Sequence, residues 1–193
     1  LAFACGADVS DYLDIIAWRG YEEAVSREVL AHLSEQERLS LDLCCMAPDA
    51  AALRFFPPLL AEEGFASTTP VRDVCPDMLL PADWEGYLAS LVKKDRHELR
   101  RKQRRLMDAG SVRSYALVDG EIGERDVDEF LALHRLSTPD KAAFMDRRME
   151  GFFRDVFSLF AHDGYLRLYF MEYEGRRVST LVLFDEGDEF LLY

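Results

Sequence analysis

Between residue 164 and residue 193, three β-rich runs are separated only by two Glu-Gly pairs, and this spacing leaves the chain few ways to fold. Glu174-Gly175 and Glu186-Gly187 are tight-turn signals, because Gly takes the positive φ that short hairpin loops demand. Residues 165–173, residues 178–184 and the run from Glu189 onward therefore read as consecutive strands of an antiparallel meander. The residues before them carry helical periodicity. In the helix expected over 126–137, Val127, Phe130, Leu131 and His134 fall at i, i+3, i+4 and i+7, one face of a helix that Pro139 is expected to end. A second helix over 144–162 places Met149, Phe152, Phe153, Val156 and Phe160 on one face and stops at Gly164. Residues 111–118 read as a strand, with Asp119-Gly120 as its turn. The order in this part is β-α-α-β-β-β.

The first part reads β-α-β-α-β-β. Residues 1–5 suggest a strand and residues 21–34 a helix. Leu39, Leu41 and Leu43 alternate within 39–46 as a strand does. Pro48-Asp49 offers a turn and cap into a helix over 50–63, closed by Gly64. Residues 65–80 are β-rich but interrupted by Pro70 and Pro76 and followed by Pro81, which suits two edge-like strands. Asp83 then caps one long helix running to Asp108 and closed by Gly110. Both ends of the chain are apolar runs, so it is expected to be truncated at both ends. No 20–50-residue repeat is present.

Charge narrows the function classes. The chain of 193 residues carries a formal −13, which argues against nucleic-acid or anionic-membrane binding over the whole surface. No apolar run reaches the ~18 residues of a membrane span. Cys5, Cys44, Cys45 and Cys75 form no C-x-x-C, so they read as small buried hydrophobes in a reducing, cytoplasmic setting. The four His lie apart from any Cys at ligand spacing, so no metal site is expected.

Several segments carry a family resemblance: Asp11-Tyr-Leu-Asp14, the stretch from Trp84 to Lys102 (WEGYLASLVKKDRHELRRK), Phe130-Leu-Ala-Leu-His134 with Lys141, and Gly164-Tyr-Leu-Arg-Leu-Tyr169. With the element order, they resemble the GNAT acyltransferases, most closely the acetyltransferase family associated with cellulose-biosynthesis protein CelD, related to the FemAB-like tandem GNAT proteins. The resemblance implies an α/β (α+β mixed-sheet) fold of two GNAT-like domains. Residues 1–82 would end the first, residues 83–110 form a basic connecting helix, and residues 111–193 begin the second. It implies transfer of an acetyl or other acyl group from acyl-CoA to an amine or hydroxyl, on a small-molecule or glycan-precursor acceptor. A FemAB-like aminoacyl-tRNA-dependent transferase and a catalytically silent GNAT-like module are the alternatives. The second domain is expected to be the active one, because Gly6-Ala-Asp-Val-Ser-Asp11 is too acidic to cradle a pyrophosphate.

The candidate residues each have a blander reading. Residues 93–113 hold nine basic and three acidic side chains, a local +6, against 14 and 33 in the other 172 residues. Lys93, Arg96, His97, Arg100 and Arg104 share one helical face, with Trp84, Leu88, Leu91, Leu99 and Leu106 opposite. That face is either an anion site for CoA phosphates or an ordinary solvated surface. His134 is a candidate general base or a hydrogen-bonded core histidine. Lys141 is an acceptor-side candidate or a plain loop lysine. Glu172, on the face of its strand with Leu166, Leu168 and Phe170, is a second candidate base or a strand-end acid reaching water. Tyr193 is a candidate acid toward the CoA thiolate.

Overall fold

The computed structural model describes residues 9–10, 12–35, 40–118 and 120–193. The chain divides into two units, Leu1–Leu79 and Leu80–Tyr193.

The first unit is built on two helices, α1 (Glu22–Ser34) and α2 (Ala51–Glu62), which bury Leu30 against Ala52, Phe56 and Leu59. Both helices were expected. The cap of α2 was not. Neither Asp49 nor the N-cap residue Ala50 supplies it; Asp14, from a distant part of the chain, accepts hydrogen bonds from the amides of Ala51 (2.6 Å) and Ala52 (2.9 Å). A carboxylate at this position satisfies orphan N–H groups and complements the helix dipole. Gly64, at φ +81°, follows the end of α2.

The strands expected in this unit do not form among the described residues. Within 39–46 a single bridge residue, Asp42, is all that appears, and Cys45 takes a positive φ of 58° that breaks the extended run. Leu41 and Leu43 pack on the helical pair instead. Residues 65–80 are exposed and irregular throughout, because their prolines remove ladder donors and no partner strand lies alongside. Cys44 is half-buried, whereas Cys45 and Cys75 are exposed, contrary to the expectation of buried thiols. The strand expected at residues 1–5, most of the Gly6–Asp11 loop, Leu39 and Asp119 lie outside the described residues.

The second unit runs α3 (Trp84–Ser90), α4 (Lys93–Ala109), β1 (Val112–Leu117), α5 (Glu124–Ser137), α6 (Pro139–Phe144), α7 (Arg147–His162), β2 (Leu166–Tyr173), β3 (Arg176–Asp185) and β4 (Phe190–Leu192). Asp83 caps α3 as expected, accepting from the Gly86 amide at 2.7 Å. The single long helix is corrected to two, since Leu91 and Val92 are extended at ψ 147° and 151°. Trp84 and Leu88 therefore do not back the basic face, and α4 buries no residue at all. Its end is fixed by close approach. The Tyr173 hydroxyl donates to the Ala109 carbonyl at 2.7 Å, and a Cβ on Gly110 would lie 2.4 Å from Glu174 Oε1.

Pro139 does more than stop α5. It stands at the first turn of α6, where its missing N–H costs nothing, and the Thr138 hydroxyl caps that turn. Helix α7 begins later than expected, at Arg147, with Asp146 as its cap. The sheet is the expected meander, antiparallel in the order β1-β2-β3-β4. Glu174 and Gly175 join β2 to β3 at φ 49° and 74°, the pair of positive values of a type I′ turn. Helices α5 and α7 cover one face, burying Phe130, Leu131 and Phe157 against Leu166, Leu168, Phe170 and Val182. Seven helices and a four-stranded antiparallel sheet thus make a mixed α/β architecture among the described residues.

One irregularity shapes the chemistry. Met171 pairs with Ser179, but Glu172 pairs with Arg177, so Val178 is an extra residue in β3. This bulge reverses the alternation beyond it. Val182 and Thr180 share the α5-facing side, yet the next residue on that side is Arg177 rather than Val178.

Candidate functional site

Arg177 is the hub of a half-buried polar network. Its side chain keeps 16% exposure, donates from Nε to the Tyr115 hydroxyl (2.9 Å), and donates from Nη1 to Asp126 (2.7 Å) and Glu129 (2.8 Å) of α5. It also lies 3.8 Å above the Phe170 ring, a cation–π contact. Burial opposes the charge, but the bonds to Tyr115, Asp126 and Glu129 outweigh it and push the guanidinium pKa further up. The Tyr115 hydroxyl in turn donates to Glu172 Oε1 at 2.7 Å. Desolvation first, and then the bond to Glu172, raises the phenol's pKa, so this hydroxyl stays a donor. Glu172 is half-buried at the rim of an open groove of about 560 Å³ that also touches Asp126, Glu129, Leu133, Arg176 and Arg177.

His134 occupies a different setting on α5. Its ring packs 6.0 Å from Phe130 and 6.3 Å from Phe144, and its buried Nδ1 has no hydrogen-bond partner among the described residues. Desolvation, followed by the positive charges of Lys141 and Arg135, lowers its pKa. The imidazole is therefore held neutral at pH 7. Lys141, exposed in α6, acts on it through its field. Tyr193 follows β4 directly, its amide bonded to the Val182 carbonyl at 3.2 Å. Aromatic contacts run from His134 through Phe144 and Phe153 to the Tyr193 ring, so these two candidates share one aromatic wall while Glu172 belongs to the polar groove.

The basic face of α4 stands in solvent. Lys93, His97 and Arg104 have no carboxylate partner among the described residues, Arg100 pairs with Glu85 at 2.7 Å, and Arg96 reaches only the Ala89 carbonyl at 3.4 Å.

The family model of the acetyltransferase (GNAT) domain matches residues 93–193, more than half of the chain. The chain belongs to this family. No curated protein and no solved structure matched it in the comparisons. The GNAT match begins at the first residue of α4 and takes in the whole sheet, the aromatic wall and the polar groove. Membership supports acyl transfer in general, and GNAT domains generally use acyl-CoA as co-substrate, with an acceptor to receive the group. No helix among the described residues is long and apolar enough to cross a membrane.

Sequence reasoning missed Tyr115, Asp126, Glu129 and Arg177. Tyr115 reads as an ordinary strand aromatic, and strict alternation puts Arg177 on the face opposite the one it occupies. The available signal was Glu172 itself, an acid on an apolar strand face, which requires hydrogen-bond partners.

Proposed function

We propose that the GNAT domain moves an acyl group from acyl-CoA to an amine or hydroxyl acceptor, with His134 as the general base. The observation that carries this reading is geometric: the His134 Nδ1 is buried among aromatics with no partner among the described residues, and desolvation and Lys141 both oppose the charged form. A neutral His near its working pH is suited to take a proton. The acceptor's N–H or O–H would give its proton to Nε2, and its nitrogen or oxygen would attack the thioester carbonyl. A C–N or C–O bond forms, the C–S bond breaks, and the thiolate leaves, to be protonated by the Tyr193 hydroxyl on this reading. Outward amides of β4, an edge strand among the described residues, would polarise the carbonyl. Lys93, Arg96, His97, Arg100 and Arg104 would meet the CoA phosphates, a role supported by the exposure of all but the half-buried Arg96.

On this reading residues 83–110 lead into the working domain at 111–193, residues 1–82 end a preceding one, and the acceptor belongs to cytoplasmic polysaccharide or cell-envelope metabolism, as the CelD-like resemblance suggests. The test is His134→Gln. It should lower kcat by about 10²–10⁴-fold while acetyl-CoA affinity by calorimetry stays unchanged. Full turnover in the variant would remove His134 from the role.

A further inference from the structure

Helix α6 supplies two of the groups that surround His134, yet it buries none of its own residues completely. Phe144 packs 6.3 Å from the imidazole and Lys141 opposes its charged form, while residues 139–143 are all exposed. A helix this short and this exposed is not kept in place by a core of its own. The corner that follows it holds it. Met145 takes φ −81° and ψ 58°, and the Asp146 amide donates to the Phe144 carbonyl at 2.9 Å, the geometry of an inverse γ-turn. Met145 is 2% exposed, so its own carbonyl needs a partner inside the protein. Arg135 supplies it, donating from Nε to that carbonyl at 3.1 Å and from Nη2 to Glu150 of α7 at 2.5 Å. Glu150 is braced in turn by Arg154, which also reaches Asp128 of α5. One guanidinium thus fastens the corner between α6 and α7 to α5, one residue along from the imidazole that Phe144 packs against.

We propose that Arg135 is a positioning residue for His134: its grip on the Met145 carbonyl and Glu150 keeps Phe144 and Lys141 of α6 against the imidazole. The inference deepens the general-base reading and rests on it for the kinetic part of the test alone. A guanidinium suits the task because one planar group must donate in two fixed directions at once. An ammonium would keep the charge and lose the fork. The charges acting on the imidazole are those of Lys141 on α6 and Arg135 itself on α5, and its ring neighbours are Phe130 and Phe144.

The test is a proton NMR titration of His134 in the whole chain, its ring resonance assigned among the four histidines by its loss in His134→Gln. Arg135→Lys keeps the positive charge and removes the fork. The His134 titration should move to higher pH in this variant, because a loosened α6 admits water and lets Lys141 recede. The same variant should lower kcat about tenfold through misplacement of the base. Arg135→Gln should move the titration further in the same direction, since it also removes a charge. Glu150→Ala gives a second route should the Arg135 variants fail to fold. Removing a nearby acid acts by Coulomb's law to move an imidazole titration down, whereas a weakened grip on α6 moves it up. A titration unmoved in Arg135→Lys would reduce Arg135 to a background charge, and a downward move in Glu150→Ala would equally overturn the assignment. A shifted titration in Arg135→Lys together with full turnover in His134→Gln would uphold the positioning and remove only the base reading.

Discussion

Helix α4 and strand β3 both present arginines, and they hold them in opposite ways. The cations of α4 project from a helix with no buried residue, and those with partners meet exposed carboxylates such as Glu85 and Glu98. Arg177 sits under α5, bonded to a phenol and two carboxylates and stacked on Phe170. Exposed pairs contribute about 0–1 kcal/mol because water and salt screen them. Removing one member of a desolvated network leaves the others without partners at a much higher cost. Charge density along the sequence therefore marks the region where charges matter least to the fold. A single arginine in a hairpin matters more.

The sharpest way to break this contrast is Arg177→Met. It should leave Asp126 with only the Gly123 amide and Glu129 with only Arg125, and lower unfolding stability by about 1–3 kcal/mol, as read by urea denaturation. A loss under about 0.5 kcal/mol would place Arg177 with the α4 cations. Lys141 tests the ground between, an exposed charge that acts on a desolvated neighbour. Burial, and then Lys141 and Arg135, hold the folded pKa of His134 below the ordinary imidazole value of 6.5, so the unfolded chain holds more protons in the window just below that pH. Stability should rise with pH through the window, and base-dependent activity should fall as pH drops through the folded pKa. Lys141→Ala removes a lowering influence, so the acid limb of kcat/KM should move to higher pH. An unmoved limb would show that desolvation alone sets the value. The smallest effect belongs to α4. Arg104→Glu with Arg105→Glu should change stability by less than about 0.5 kcal/mol, while acetyl-CoA binding weakens and loses part of its salt dependence.

How much was legible follows from where local rules decide. Helices α1, α2 and α5 and the β2–β3–β4 meander could be read because apolar period and turn residues agree there with the tertiary packing. The break at Leu91-Val92 could not, since both residues suit a helix and no Gly or Pro marks the interruption. The strands expected in 65–80 failed for the opposite reason: β-prone residues need a neighbouring strand, and periodicity does not report one. His134 and Glu172 were visible as polar groups on apolar stripes. Tyr115, which holds Glu172, comes from a strand 57 residues earlier, and Arg177 reaches Glu172's side only because of one unpaired residue.

That residue gives β3 a parity. Arg177 stands an odd number of positions before Val182, yet shares its face because Val178 is passed over in the pairing. Were β3 to pair without the bulge, Val178 would take the place opposite Glu172 and the Arg177 side chain would face the other surface of the sheet, although no residue had been altered. For this groove, a one-residue slip in pairing acts as a frameshift in space: every amino acid near the turn survives, and the message they spell together does not.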